Sequence, residues 1–480
     1  MFSKPAFDRS ILRRLITGSG FELTSAVFFR LLGLIYLCSF ASFWPQIVAL
    51  VGSHGIAPAA EILTAVRAQG FHVMLQFPTL FLFGISDTAL ISACVAGCIF
   101  AVVMISGYFV RVAAVFAWVL YLSIAVVGQP FSNFQWDALL LEAGFLALFA
   151  GVPLTGYAFR FLLFRLMFES GVVKLTSHDP NWRSLHALRF HFLTQPLPDP
   201  IAYYVHRLPP SVLDAMTVAT FSIELGAPLL LFGPRLVRMI GAGLIAFLQI
   251  VIMLTGNYAF FNLLTLALCI WALDDRLLAR FVKRGVRLRW PDMRIFASAA
   301  VALLIAIGAI ELVQMFESPF SRTPNTLITA LAPFEIVNTY GLFAVMTTTR
   351  PELVIEGSDD LVNWSEYVFP YKPGPVNRRL PIVAPYQPRL DWQMWFAALG
   401  SYQGNTWVGG VVYRLLTGDR AVLGLLDKVP FSKPPKFIRI LSYDYQFTTL
   451  EERSRTGAVW NRTLKGIWFG PVSVSQSGQG

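Results

Sequence analysis

The chain has 480 residues, of which 55% are hydrophobic and 14% are charged, and its mean hydropathy is +0.59. Soluble globular proteins carry about 25% charged residues, so this composition excludes an ordinary soluble enzyme and indicates a membrane protein. The net charge of +10 does not indicate nucleic-acid binding, because the basic residues concentrate in short loops between apolar segments, where they orient membrane helices. The four cysteines all fall in apolar stretches, which predicts neither a disulfide framework nor a zinc site.

Apolar runs close to the roughly 20 residues that cross a bilayer recur through the first two thirds of the chain. A ninth segment, 157–175, is more charged, but including it keeps every basic loop on the cytoplasmic side. The sequence therefore predicts a polytopic α-helical membrane protein of about eight or nine transmembrane helices, with a cytoplasmic amino terminus. The other eight runs are 26–43, 88–107, 112–128, 137–154, 213–232, 237–255, 259–273 and 296–316.

The predicted orientation sends several parts of the chain to the side opposite the cytoplasm. The membrane domain, 1–318, has two outer loops, 51–78 and 176–210. All six histidines fall in these loops, and the spacing of His186 and His191 does not match the i, i+4 pair of a helical metal site. The sequence therefore predicts no metal site, and it contains no Walker, GxSxG, HExxH or dinucleotide motif that would indicate a cofactor.

The carboxyl-terminal third changes in character. Residues 319–349 are semi-polar and rich in proline, which suits an interfacial or re-entrant segment. Residues 350–472 have a globular composition, in which strand patterns alternate with turn residues and short helical patterns. They predict an extracytoplasmic α+β domain with antiparallel strands. A Ser/Gln/Gly tail, 473–480, is predicted to be disordered.

Ionisable residues inside the predicted helices are the strongest functional signal. A charge at the bilayer centre costs roughly 3 kcal/mol, so such residues usually face a bundle interior or a wet cavity. One interpretation is structural, with acids and bases paired between helices. The other is a polar cavity open to the outer side, in which a desolvated lysine could act as a base. The residues are Arg30, Asp137, Glu142, Arg165, Glu169, Lys174, Glu224 and Glu311.

Lys174 is the only candidate for a catalytic residue, and Glu169 on the same helix is its expected counter-charge. Five residues correspond to about 500° of helical rotation, which is roughly 140° from alignment. The two side chains therefore need not touch, and Glu142 or Arg165 could mediate between them. The outer domain contains a second group of candidate residues, the outer-domain motif, which consists of Arg389, Asp391, Trp392 and Trp395.

We interpret this outer-domain motif as a fixed junction rather than a catalytic site. Arg389 and Asp391 are two residues apart, and they could satisfy each other or the neighbouring backbone through charge-assisted hydrogen bonds. The indole of Trp392 would pack beside them. The motif is therefore expected to stabilise the fold.

Several long stretches resemble those of the lipase maturation factor family. In eukaryotes the resemblance implies an endoplasmic-reticulum membrane protein that helps dimeric secreted lipases fold and assemble. Its implied partners are membrane lipids and a secreted client, which the lumenal loops and carboxyl-terminal domain would contact. In a bacterium the corresponding location would be the cell membrane, with the outer parts in the periplasm. The stretches are 43–58, 136–144, 168–183, 191–198, 333–343, 355–358 and 387–396.

The membrane part also resembles the membrane domain of vitamin K-dependent gamma-carboxylases, through one motif. Lys174 and Trp182 stand where that motif carries a lysine proposed as the catalytic base and a tryptophan, whereas Glu169 does not match it. Two functions follow from the sequence. The favoured one is a maturation factor or chaperone without enzymatic activity, and the alternative is a membrane enzyme acting on a lipid, quinone or peptide through a cavity around Lys174.

Overall fold

The computed structural model describes residues 21–132, 134–152, 154–281, 294–316 and 326–474. Four sequence predictions concern residues wholly or partly outside these ranges. They are the basic amino terminus, the basic residues from Lys283 to Arg289, the first part of the predicted interfacial segment 319–349, and the tail beyond Val474.

Nine helices in the described ranges correspond to the nine predicted apolar segments. They are α1 (Glu22–Phe43), α2 (Asp87–Ser106), α3 (Val110–Val127), α4 (Gln135–Ala147), α5 (Thr155–Thr176), α6 (Pro210–Leu230), α7 (Arg235–Thr255), α8 (Phe261–Ala272) and α9 (Arg294–Gln314). Six of them, α1, α2, α3, α6, α7 and α9, are long and apolar enough to cross a membrane. Helices α4 and α8 are shorter, and α5 carries four charged side chains. The polytopic helical fold is confirmed, and the number of spans stays a prediction.

Local sequence signals explain where some of these helices begin, end and deform. The side chain of Ser86 caps α2 by accepting a hydrogen bond from the backbone of Ala89 at 3.1 Å, and the helix ends at Gly107 with a φ of 83°. Helix α6 contains a π-helical turn, Ser222–Gly226. Pro228 lies just after this turn and cannot donate to the carbonyl of Glu224, which removes one α-helical hydrogen bond. A π turn accommodates this loss.

Short helices fill both predicted outer loops, so neither loop is extended. In the first loop they are Ala59–Ala68 and Phe71–Met74, with Ile47–Val51 and Leu80–Phe83 at its two ends, and in the second they are Pro180–Arg183, Leu188–Thr194 and Pro200–Val205. Three further short helices, Asp275–Leu278, Thr326–Leu331 and Ala332–Phe334, flank the last membrane helix.

The carboxyl-terminal part contains the predicted antiparallel strands. A four-stranded sheet of order β2-β1-β3-β4 is built from β1 (Pro351–Ser358), β2 (Ser365–Tyr367), β3 (Phe437–Phe447) and β4 (Trp460–Val472). All its pairings are antiparallel, with Pro351 opposite Asp444 and Ser358 opposite Phe437 at the two ends of the central pair. The helices are α10 (Arg389–Ala398), α11 (Trp407–Thr417), Arg420–Leu423 and Leu450–Thr456.

The carboxyl-terminal part packs directly on the helical bundle, and one hydrophobic core runs through both. The indole rings of Trp136 in α4 and Trp392 in α10 lie edge to face, with their ring centres 4.7 Å apart. At the end of α1, the hydroxyl of Ser42 donates to the backbone carbonyl of Gln387 at 3.0 Å and accepts from the backbone N–H of the same residue at 2.8 Å. These contacts fix the position of the sheet relative to the membrane helices.

Candidate functional site

Six of the eight predicted intramembrane charges assemble into two separate clusters, and the first is centred on Arg165. Its guanidinium lies 2.8 Å from the carboxylate of Glu142, 3.2 Å from that of Glu169 and 3.5 Å from that of Glu311. Arg165 is 2% exposed. One buried cation thus links α4, α5 and α9, which agrees with the structural interpretation of these residues.

The same cluster holds the segment that follows Phe334 inside the bundle. The backbone amides of Asn338 and Tyr340 donate to Glu142 at 2.8 Å and to Glu169 at 2.7 Å. The hydroxyl of Tyr340 donates to Glu142 at 2.8 Å, and Arg165 donates to the carbonyl of Asn338. The carboxylates therefore satisfy backbone groups of a non-helical segment that would otherwise be unpaired away from water.

The second cluster pairs Lys174 with Glu224 across α5 and α6. The Lys174 Nζ lies 2.8 Å from each carboxylate oxygen and 3.1 Å from the carbonyl of Ser170. The expected pairing of Lys174 with Glu169 is wrong, because Glu169 lies on the face of α5 that Arg165 occupies one turn earlier. Three acceptor oxygens therefore surround the Lys174 Nζ, one for each hydrogen of an ammonium group.

Lys174 and Glu224 line a cavity of about 340 Å³ enclosed mainly by α5, α6, α7 and α8. The indole of Trp182 covers one end, with its ring centre 5.3 Å from Lys174 Nζ. Most of the remaining wall is aliphatic or aromatic, and a few polar groups come from α7, α8 and the second outer loop. A mainly apolar cavity with few polar groups is typical of a small-molecule site.

A hydrogen-bonded chain of His191, Tyr258 and Gln195 lies at the edge of this cavity, between the segment 176–210 and the start of α8. The amide nitrogen of Gln195 donates to the carbonyl of Thr255 at 2.7 Å, so its oxygen accepts from the hydroxyl of Tyr258 at 2.8 Å. The Nε2 of His191, 3.2 Å from that hydroxyl, must then carry the hydrogen. Burial, and secondarily the charge of Lys174, lowers the pKa of His191 to about 4.

The outer-domain motif is divided between two sets of contacts. Arg389 does not pair with Asp391. Its guanidinium lies 2.9 Å from both oxygens of Asp137 in α4, whereas Asp391 accepts from the backbone amides of Tyr371 and Lys372 at 2.9 and 2.8 Å. Two residues along a helix point in different directions, which explains why the two side chains separate.

The remaining predicted residues lie apart from both clusters. Arg30 donates to the carbonyl of Ala26 on its own helix at 2.8 Å, and no carboxylate in the described ranges pairs with it. Trp395 donates to the carbonyl of Thr194 at 3.0 Å. Within the ranges the structure covers, no group of three or more His, Cys, Asp or Glu side chains could hold a metal ion.

Sequence analysis did not single out several residues of these sites. Gln249 and Asn262 line the cavity from α7 and α8. Arg350, before β1, donates to the carbonyls of Leu193 and Pro196 at 2.7 and 2.8 Å. A polar amide inside an apolar helix was the one signal that could have indicated the first two, whereas nothing in the sequence indicated where Arg350 would bind.

Comparisons with known proteins cover nearly the whole chain. The family model of the lipase maturation factor transmembrane domain matches residues 23–280, and that of the lipase maturation factor C-terminal domain matches 336–470. The chain belongs to the lipase maturation factor family. It is 33% identical to lipase maturation factor 2 of Xenopus laevis, over 89% of this chain and 79% of the relative. Lipase maturation factor 2 of Homo sapiens is 32% identical, over 95% of this chain and 83% of the relative. Lipase maturation factor 1 of Bos taurus is 31% identical, over 94% of this chain and 89% of the relative. No solved structure matches the chain.

The family assignment confirms the resemblance seen in the sequence motifs and identifies a multi-pass membrane protein. It also shows which of the buried polar contacts connect the two domains. In this lipase maturation factor, Arg165 and Asp137 belong to the transmembrane domain, and their partners Asn338 and Arg389 belong to the C-terminal domain. The pair of Lys174 and Glu224 lies wholly within the transmembrane domain. The comparisons give no support to the enzyme alternative.

Proposed function

We propose that this chain is a membrane-bound maturation factor that assists the folding and assembly of secreted lipases. The observation that carries the proposal is the presence of both lipase maturation factor domains, joined by the buried ion pair of Arg389 with Asp137 and by hydrogen bonds from the backbone of residues 338–340 to Glu142 and Glu169. Buried charges held at several points fix the relative position of the two domains. A framework of that kind presents the same surface to each folding client.

The proposed function is tested by expressing a secreted lipase in cells with and without this chain and measuring the lipase in the medium. We expect the activity per mass of secreted lipase to rise when the chain is present, while an unrelated secreted phosphatase is unaffected. Arg389→Met, which breaks the domain junction, should remove the gain. Arg462→Gln, which removes the partly exposed pair with Glu366 and contacts with Tyr443 and Tyr445 within the C-terminal domain, should keep it. Unchanged lipase activity per mass would overturn the proposal.

In the orientation we propose, the amino terminus is cytoplasmic and the C-terminal domain lies outside, in the endoplasmic-reticulum lumen or the bacterial periplasm. Contacts at one end of the bundle support it. Asp275 accepts from the amide of Thr24 at 3.0 Å, and Arg235 pairs with Asp274 at 2.5 Å, which brings the start of α1 together with a basic loop. The C-terminal domain attaches at the other end of α1, beside Ser42.

Glycan mapping in a eukaryotic host tests this orientation. The sequons beginning at Asn363 and Asn461 both lie in the C-terminal domain, and both asparagines are exposed. We expect a mobility shift that glycosidase removes, and that is lost when both asparagines are replaced by Gln. A cytoplasm-only reporter that is active when fused after Gly480 would contradict the proposed orientation.

A further inference from the structure

The cavity beside Lys174 opens sideways between α6 and α7. The two helices touch closely near the turn that joins them, where a Cβ on Gly241 would lie only 2.7 Å from the carbonyl oxygen of Ala227. Farther from the turn they frame the cavity with residues that also reach the protein surface. Ala219 is exposed and Phe247 is 61% exposed, and both line the cavity.

The surface around this opening is apolar, as is typical of helix surfaces that contact lipid. The outward positions of α7 are large aliphatic side chains, and α6 is also exposed over most of its outer face. A molecule entering the cavity would therefore come from the membrane rather than from water. The exposed aliphatic side chains of α7 are Leu236, Ile240, Leu244, Ile250 and Leu254.

The polar part of the cavity carries no net charge that could bind an ion. The carboxylate of Glu224 neutralises Lys174 at 2.8 Å, and every ammonium hydrogen already has an acceptor. His191 is neutral near pH 7, because its lowered pKa lies near 4. An anionic ligand would leave its own charge unpaired in an apolar environment, which is costly.

Two buried amides in the cavity have unused hydrogen-bonding capacity. The nitrogen of Asn262 donates to the oxygen of Gln249 at 2.7 Å. The nitrogen of Gln249 has only the sulfur of Met167, at 3.6 Å, as a partner, and in the described ranges the oxygen of Asn262 has none. Both side chains are 3% exposed. When two amides are joined by one hydrogen bond, the NH2 group of one and the oxygen of the other remain available to a ligand, whichever of the two amides donates.

A ligand that satisfies both amides must accept one hydrogen bond and donate another. A hydroxyl group does both without any change of protonation, whereas a quinone carbonyl only accepts and a fatty acid donates only after its carboxylate has taken up a proton. We propose that the cavity binds one uncharged lipid alcohol, with its hydroxyl between Gln249 and Asn262 and its apolar part extending toward the opening between α6 and α7. Acylglycerols and sterols are the two membrane sources that share this chemistry.

The proposal is tested with the full chain in phosphatidylcholine nanodiscs and photoreactive lipid probes. The probes are a monoacylglycerol, a sterol, a fatty acid and an isoprenoid quinone, each carrying a diazirine in its apolar part. We expect one of the two alcohols to label cavity residues and to be displaced by its unlabelled form. Labelling by the monoacylglycerol would identify an acylglycerol site, and labelling by the sterol a sterol site. Equal or stronger labelling by the fatty acid or the quinone would overturn the proposal.

Variants separate cavity binding from general lipid contact. Ala219→Trp fills the opening and should abolish labelling, while Ala215→Trp places the same side chain one turn away, at an exposed position that does not line the cavity. Gln249→Leu removes the free donor and should weaken labelling roughly tenfold. If Gln249→Leu fails to fold, the two tryptophan variants still decide. Labelling that is equal in Ala219→Trp and Ala215→Trp would overturn the proposal.

Discussion

Arg389 and Asp137 are 252 residues apart in the chain, yet they form a bidentate ion pair in which each of the two terminal guanidinium nitrogens lies 2.9 Å from one carboxylate oxygen. The two residues are 0% and 2% exposed. Paired hydrogen bonds of this kind are strong and directional. Tyr121 donates to the same carboxylate, and the guanidinium stacks on the ring of Phe43, so the pair is enclosed on several sides.

Breaking this pair should destabilise the junction between the two domains. Asp137→Asn and Arg389→Met each leave an uncompensated buried charge or a broken network, at a cost of about 3–5 kcal/mol. The double variant Asp137→Asn/Arg389→Met should lose less than the sum, because neither charge remains. Thermal unfolding of detergent-solubilised protein measures the effect. Arg462→Gln, at a partly exposed pair, should cost less than about 1 kcal/mol. Strictly additive losses would show that the two residues do not stabilise each other.

Much of the fold could be predicted because its signals are local. Continuous apolar runs indicated α1, α2 and α7, and turn residues separated the strand patterns of the C-terminal part. The pairing of charges could not be predicted, because Arg389 meets Asp137 only after the whole chain has folded. The partner of a buried side chain depends on how the helices are rotated and packed, and the residues next to it in the sequence do not determine this.

The candidate site shows the same division between local and distant information. The charge of Lys174 in an apolar helix correctly drew attention to that helix. Its partner Glu224 lies 50 residues away, at a π-helical turn whose altered rotation no simple periodicity predicts. Gln249 and Asn262 were missed because uncharged amides in an apolar run give a weaker signal than charges do.

The carboxylates around Arg165 should differ in their importance. Glu142 accepts hydrogen bonds from Arg165, Tyr340 and the backbone of Asn338, all at 2.8 Å. Glu311 has a single contact with Arg165, at 3.5 Å. We expect Glu142→Gln to lower stability by about 3–5 kcal/mol and Glu311→Gln by about 1 kcal/mol or less. The yield of folded, monodisperse protein and its midpoint of thermal unfolding provide the comparison. Equal losses for both variants would mean that the additional hydrogen bonds of Glu142 do not contribute to stability.

Replacing Lys174 distinguishes a structural lysine from a catalytic one. Lys174→Met leaves Glu224 buried without a cation, so we expect weaker folding, with client maturation proportional to the protein that remains folded. Lys174→Met/Glu224→Gln removes both charges and should recover much of the stability. The readouts are thermal unfolding and secreted lipase activity per folded maturation factor. A double variant that is stable yet unable to mature its client would instead indicate that Lys174 acts in a chemical step.

His191 should make the fold sensitive to mild acid. Burial lowers its pKa from an ordinary value of 6.5 to about 4. Between these two values the unfolded chain binds a proton and the folded chain does not, so the free energy of unfolding falls as the pH is lowered from 7 toward 4. The loss should reach roughly 2–3 kcal/mol near pH 4.5. The midpoint of thermal unfolding, measured in steps from pH 7 to pH 4.5, gives the slope.

His191→Gln should remove this slope while keeping a donor for Tyr258. Asp391 works in the opposite direction, since burial raises its pKa from 3.8 to about 6 and its contribution to stability is lost as the pH rises between those values. Because Asp391 is present in both proteins, the difference between wild type and His191→Gln isolates the histidine. His72→Gln, at an exposed position, is the matched control and should leave the slope unchanged. If His191→Gln and wild type lose stability in parallel on acidification, the acid sensitivity has another origin.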